Sequence, residues 1–215
     1  MNTIISTKDL SYGPVIISPD VSISKNETTF LYGPSGCGKT TLTRLMNATL
    51  SPEQGELFYN EVPYSDLEVL ALRKDIILVS QAIYLFDGTI KENFIKFYEY
   101  REETIPTEDA MREYLQLCCA DFPLDSSCEI LSGGERHRIY IAICLSFLPK
   151  VIILDEPTSA LDSRTANRLL KNLKSFTSQK EITQIIISHD ISLVEQFGDK
   201  IISCFQGCSQ EVNYE

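Results

Sequence analysis

Residues 33 to 40 read Gly-Pro-Ser-Gly-Cys-Gly-Lys-Thr, a full match to the pattern G-x-x-x-x-G-K-[S/T]. No other feature of the chain narrows its fold so far. The pattern works only where a strand runs into a glycine-rich turn and a helix opens directly behind it. Both flanks fit: Thr28 to Tyr32 reads as a strand, and a helix is expected from about Lys39. That helix should stop before Pro52, because the residue preceding a proline disfavours helical backbone. Glycines let backbone N–H groups turn inward as a nest for phosphate oxygens, with the positive end of the helix behind them. Gly33, Pro34, Ser35, Gly36, Cys37 and Gly38 form the expected cradle, with Thr41 beside it. Lys39 is expected to reach β- and γ-phosphates, and the Thr40 hydroxyl to ligate Mg²⁺, so the expected ligands are ATP and Mg²⁺.

The remaining chain reads as strands and helices of an α/β core. The segment up to Leu31 is rich in Ile, Val and Thr, with breaks at Gly13-Pro14, Ser18-Pro19 and Lys25-Asn26, which predicts short strands joined by turns. Further strands are expected at Glu56 to Tyr59, Ile76 to Ser80, Val151 to Leu154 and Ile182 to Ser188. Helices are expected at Ser65 to Arg73 and Thr165 to Phe176. From about Ala82 to Pro149 the apolar residues recur at helical spacing, as in Ile90, Phe94, Ile95 and Phe97, then Met111, Tyr114, Leu115 and Cys118. Thr107, followed by Glu108 and Asp109, announces the second of these helices. This stretch is expected to be a helical subdomain inserted between strands of a parallel sheet. Strand, helix and strand in that order imply right-handed crossovers.

Composition excludes several classes. With 215 residues there is room for one sizeable core, or one core with an inserted lobe. The aliphatic runs suit buried strands and are far too short to cross a bilayer. A formal charge of −11 argues against nucleic acid as a partner, since phosphate backbones are gripped by clustered Lys and Arg. The opening residues lack the regions of a signal peptide, which places the chain in the cytoplasm by expectation. Seven cysteines without a C-x-x-C pair fit a reducing compartment, with Cys118-Cys119 and Cys204/Cys208 read as idle thiols rather than metal ligands.

Two further motifs carry chemistry. Val151 to Leu154 is an apolar strand that ends in Asp155-Glu156-Pro157. Carboxylates at the end of a buried strand are costly without partners, and a magnesium ion supplies one. Asp155 suits the Mg²⁺ shell, and Glu156 suits a general base that polarises the attacking water. Leu131-Ser132-Gly133-Gly134-Glu135 then precedes a helical run.

Together these three motifs resemble those of the ABC-type ATPases, whose signature usually reads L-S-G-G-Q. The resemblance covers nearly the whole chain, residues 1 to 215, as a single domain. It implies a P-loop NTPase (RecA-like) α/β core with an N-terminal antiparallel β subdomain over 1 to 81 and 150 to 215, and a helical subdomain over 82 to 149. Gln81 stands where the family's Q-loop sits, which adds it to Thr40 and Asp155 around the metal. Ser159-Ala160-Leu161-Asp162 resembles the D-loop, His189 the switch histidine, and Tyr12 the aromatic residue that stacks on adenine. Glu135 replaces the usual glutamine, and Ile143 stands where an arginine is common. His137 is read as an exposed helix position without a role.

The resemblance also implies a working pair of copies facing head to tail. Lys39, Thr40, Gln81, Asp155, Glu156 and His189 come from one copy, while Ser132, Gly133 and Gly134 of the other close over the γ-phosphate. The implied role is the ATP-hydrolysing subunit of a membrane transporter, peripheral on the inner face of the membrane, whose spanning permease subunit is a separate polypeptide. Ala82 to Phe97 is the implied groove for that partner. This stretch and the signature segment are also similar to ATP-binding subunits of small proposed iron-export systems. The rival class, a non-transport ABC ATPase of DNA repair or translation, usually carries long coiled-coil insertions, a second ATPase domain or basic surfaces, none of which is apparent.

Overall fold

The computed structural model describes residues 2–13, 16–17, 20–205 and 208–212; the breaks expected at Pro14 and at Ser18-Pro19 lie outside them. The first strand, β1 (Thr3–Tyr12), pairs antiparallel with β2 (Ile16–Ile17) and with β3 (Ser22–Ser24). The turn at Lys25-Asn26 follows, with Asn26 at φ 60°. β4 (Thr28–Tyr32) leaves for a second sheet and delivers the chain to α1 (Lys39–Met46). β5 (Gln54–Tyr59) then returns to pair antiparallel with β1 and with β6 (Val62–Pro63).

The second sheet holds β4 together with β7 (Ile76–Val79), β8 (Val151–Asp155), β9 (Thr183–Ser188), β10 (Lys200–Phe205) and β11 (Cys208–Val212). Its spatial order is β11-β10-β4-β9-β8-β7, and every neighbouring pair is parallel except the hairpin β10–β11. The continuous aliphatic runs follow from burial on both faces. Successive side chains point to opposite faces of a strand. Accordingly Phe30, Ile77, Val79, Ile152, Leu154 and Ile186 enter one apolar cluster, while Leu31, Ile76, Val151, Ile153, Ile185 and Ile187 enter the other. Each fully buried Ile, Leu or Phe among them contributes about 1.5–3 kcal/mol.

The first cluster is shared with α3 (Ile90–Arg101), α4 (Glu108–Leu117), α5 (Gly133–Ser146), α6 (Ser163–Gln179) and α7 (Ile191–Phe197). Three of these, α3 to α5, lie in the chain between β7 and β8. The second cluster packs α1 and the β1/β5 sheet against the opposite face. Short polar residues start the helices: Thr89 and Glu92 form a reciprocal capping box on α3, Thr107 caps α4, and Asp162 caps α6.

α1 starts at Lys39 and stops before Pro52 as expected; it ends at Met46, where Asn47 leaves helical geometry and Ala48 turns to φ 56°. One helix differs from expectation. The stretch expected as one helix over 65 to 73 divides into a 3₁₀ turn at Tyr64–Asp66 and α2 (Val69–Asp75). Leu67 is extended between them, and the Glu68 carboxylate accepts from the Leu70 and Ala71 N–H groups to start the second helix afresh. Among the described residues no helix is long and apolar enough to cross a membrane.

Candidate active site

The phosphate-type loop sits between the end of β4 and the start of α1. Gly36 and Gly38 hold φ of 80° and 98°, a left-handed backbone that favours glycine. A Cβ on Gly36 would meet nothing within 4 Å, so the demand there is conformational and the loop faces open space. Lys39, only 5% exposed, folds back into this loop. Its Nζ donates to the carbonyl oxygens of Gly33 and Pro34, each at 2.8 Å, and lies 3.6 Å from the Cys37 Sγ. The buried Lys39 Nζ thus finds its partners in the loop's own backbone and thiol.

Opposite the loop stand the ends of β8 and β9. The Thr40 hydroxyl donates to Asp155 Oδ2 at 3.1 Å, joining the first turn of α1 to the last residue of β8. Burial pushes the Asp155 carboxyl above its ordinary range, and the neighbouring Glu156 charge adds to this. The Thr40 hydroxyl, Arg44 and Lys39 pull the other way. Glu156 occupies the left-handed region at φ 54°, uncommon for a residue with a side chain. Such outliers cluster at functional sites, where the surroundings hold them in place. Here the Glu156 N–H donates to the Ile187 carbonyl at 3.1 Å, which locks the turn. The Glu156 carboxylate then lies 2.7 Å from His189 Nε2 through Oε1, and accepts from Gln81 Nε2 at 3.5 Å through Oε2. Side chains from the ends of β7, β8 and β9 therefore converge on one carboxylate.

Ser35, Gly36, Gly38, Thr41 and Ile187 join Lys39, Thr40, Gln81, Glu156 and His189 around a cavity of about 230 Å³. Its lining thus combines residues of the loop with Glu156 and His189. Thr40 and Asp155 supply hard oxygen atoms of the kind Mg²⁺ takes. No group of three or more His, Cys, Asp or Glu side chains able to hold a metal occurs among the described residues. A cation here would draw the rest of its shell from phosphate oxygens and water, as Mg²⁺ commonly does.

Other expected residues lie elsewhere. Ser132 caps α5: its backbone N–H and its hydroxyl both donate to Glu135 Oε2, at 2.8 and 2.7 Å, and its Oγ accepts from the Glu135 N–H at 3.4 Å. Glu135 is therefore the closing half of a capping box, which the Ser-x-x-Glu spacing at 132 to 135 signals. Gly133 and Gly134 border a separate cavity of about 380 Å³, together with Gln81, Arg136, Pro157 and Leu161. The Asp162 carboxylate accepts from the N–H groups of Arg164 and Thr165 at the start of α6. Tyr12 ends β1 half-buried, packed against the apolar cluster that holds Cys37 and Leu42. Neither Tyr12, Asp162 nor the Ser132–Gly134 segment borders the cavity in front of Lys39.

One expectation is corrected. His137 is not exposed: its ring is largely enclosed, borders the 380 Å³ cavity, and has its pKa lowered, chiefly by burial. The end of β7 comes down on α5 at this point, an approach that helical spacing in the sequence does not carry. Ile143, where an arginine is common, is fully buried in the first cluster.

Comparison with known proteins agrees with this architecture. Residues 18–159 match the family model described as ABC transporter. The chain is 33% identical over 197 residues to the spermidine/putrescine import ATP-binding protein PotA of Spiroplasma citri, a match that covers 90% of this chain and 55% of that protein. It is 30% identical over 197 residues to the probable iron export ATP-binding protein FetA of Escherichia coli K12, covering 90% and 87% respectively. The chain thus spans about half of the first relative and most of the second. Among solved structures, cbiO1 of Clostridium perfringens, part of the ABC transporter complex cbiONQ, superposes with a TM-score of 0.85 at 26% identity, over 99% of this chain and 89% of that one.

Proposed function

Because the chain belongs to the ABC transporter family as its ATP-binding domain, we propose that two copies clamp ATP-Mg²⁺ between them and hydrolyse it to drive a separate membrane-spanning subunit. The observation that carries this reading is the placement of Glu156. It lines the same cavity as the phosphate-type loop, 2.7 Å from His189 and 3.5 Å from Gln81. Positioning and charge neutralisation, rather than covalent chemistry by the protein, govern phosphoryl transfer.

The proposed roles divide among these residues as follows. The loop N–H groups and Lys39 hold the phosphates; Lys39 must leave the Gly33 and Pro34 carbonyls to do so, and its flexible stem allows this. Thr40 and Asp155, with Gln81 lining the same cavity as Thr40, would hold Mg²⁺, which would supply charge neutralisation for the phosphates. Glu156 accepts the proton of the attacking water, and His189 keeps that water and the γ-phosphate in register with it. Tyr12 is the proposed adenine platform. Ser132, Gly133 and Gly134 open α5 and border a different cavity from Lys39 in their own chain. The N–H groups of Gly133 and Gly134 serve the γ-phosphate of a second copy, with Ser132 and Asp162 beside that junction.

The helical stretch, proposed as a lobe over 82 to 149, offers a surface for the spanning subunit. Tyr84 and Tyr100 are 65% and 75% exposed, and both rings pack on Phe86, at 5.0 and 5.6 Å between centroids. Exposed aromatic clusters of this kind mark sites of protein contact. Such docking places the chain on the inner face of the membrane, and its net charge of −11 weighs against nucleic acid as the partner.

Glu156→Gln tests the assignment. The variant should bind ATP-Mg²⁺ as the parent does and lose turnover by about a hundredfold or more, the scale of a lost general base. Unchanged turnover would remove Glu156 from this role.

A further inference from the structure

The carboxylate assigned to accept the proton sits on a backbone that has to be held. Glu156 occupies the left-handed region at φ 54°, where a side chain is disfavoured. Both of its backbone groups are engaged. The N–H donates to the Ile187 carbonyl of the neighbouring strand β9 at 3.1 Å. The carbonyl accepts twice from a single residue, from the Ser159 N–H at 3.3 Å and from the Ser159 hydroxyl at 3.1 Å. The first of these bonds closes a turn over residues 156 to 159 with Pro157 in second place, where its fixed φ suits such a turn. The Leu161 N–H then donates to the Thr158 carbonyl at 3.1 Å, so a second turn follows directly. Ala160 braces the segment from outside: a Cβ on Gly134, at the start of α5, would stand 3.4 Å from the Ala160 Cβ.

The backbone bond to the Glu156 carbonyl is open to almost any residue at 159, but the second bond needs a hydroxyl. Ser159 is exposed, so its side chain fills no core space. We propose that Ser159 is a positioning residue for Glu156: its hydroxyl closes on the Glu156 carbonyl and holds the left-handed backbone from which the carboxylate reaches His189 Nε2 at 2.7 Å. Without that bond φ relaxes towards the ordinary regions, and the carboxylate, which leaves from the same Cα, is re-aimed relative to His189 and Gln81. Nucleotide binding, carried by Lys39 and the loop N–H groups, is untouched. This inference deepens the reading of Glu156 as general base and rests on it.

Ser159→Ala removes the hydroxyl and Ser159→Thr keeps one. In ATP turnover Ser159→Ala should lower kcat by about threefold with KM within about twofold, towards the low end for one lost hydrogen bond because this bond is exposed. Ser159→Thr should recover most of that loss. In a Glu156→Gln background Ser159→Ala should leave the residual turnover unchanged, since a residue that acts through the carboxylate then has nothing to position. The same fractional loss in both backgrounds, or equal behaviour of the alanine and threonine variants, overturns the proposal. Amide hydrogen exchange in the nucleotide-free full chain reads the geometry apart from the chemistry. The amides of residues 156 and 159 donate to the Ile187 and Glu156 carbonyls, and in Ser159→Ala they should exchange about threefold faster. Ser159→Thr should stay close to the parent. Parent-like exchange at both positions in Ser159→Ala also overturns the proposal. If Glu156→Gln alone keeps parental turnover, the general-base reading fails instead, and exchange still decides whether Ser159 holds the Glu156 backbone.

Discussion

Asp155→Asn should make the nucleotide-free chain more stable while depriving it of stabilisation by ATP-Mg²⁺. Asp155 is 4% exposed, and the Thr40 hydroxyl at 3.1 Å is its side-chain hydrogen-bond donor. A buried polar group short of partners costs about 1–3 kcal/mol. Asparagine keeps the shape and can still accept from Thr40 while shedding the charge. In a chain of this size each kcal/mol moves Tm by roughly 2–4 °C, so a gain of several degrees is expected. The sign with pH follows from the raised carboxyl pKa. Between the unfolded and folded pKa values the native state binds more protons than the unfolded one, so stability falls as pH rises through that window. The advantage of Asp155→Asn should accordingly be smallest in acid and full once pH exceeds the folded pKa. Ligand at a hundred times Kd stabilises a parent that binds it by about 2.7 kcal/mol, and the variant should lack the Mg²⁺-dependent part of that gain. Scanning fluorimetry with a dye, with and without ATP and Mg²⁺ and at several pH values, reads all of this. A nucleotide-free Asp155→Asn chain that melts below the parent would refute the claim that this carboxylate is held at a cost for its ligand.

Other perturbations have equally definite outcomes. Labelling Cys37, which is nearly buried in the loop beside Lys39, with a thiol reagent should block ATP binding sterically; full activity after stoichiometric labelling disposes of that. Ser132→Ala removes the capping box on α5 and should cost about 1 kcal/mol in chemical denaturation, and an unchanged midpoint would show that the cap contributes nothing. Gly55→Ala forces a Cβ to 2.3 Å from the Asp9 carbonyl oxygen at φ 79°. A loss of about 1–3 kcal/mol is expected, and a parent-like Tm would contradict the close approach of β1 and β5.

Much of the fold was legible because the parallel strands are buried on both faces. Runs such as Ile152-Ile153-Leu154 and Ile185-Ile186-Ile187 need no alternation, and their brevity separates them from helices. Helix starts were legible where a short polar side chain caps them, as at Thr107. The break between Tyr64–Asp66 and α2 was not, since it depends on the Glu68 carboxylate folding back onto its own helix. At the site, the motifs located the loop and the acidic strand end, while the contacts between them depend on strand order. Gln81, Glu156 and His189 close on one another because β7, β8 and β9 are neighbours in the sheet. Enclosure of His137 has the same origin, in the approach of β7 to α5. The inward fold of Lys39 depends on loop carbonyls that a motif does not orient.

The most direct test of a site split between two copies is complementation. A Lys39→Ala chain and a Ser132→Arg chain should each be inactive as homodimers, and mixing them should restore one intact composite site per mixed dimer. With random pairing half of the dimers are mixed and each carries one working site of two, so recovery of about a quarter of parental ATP turnover is expected for independent sites. No recovery, with mixed dimers shown to have formed, would contradict the sharing of Ser132 across the pair.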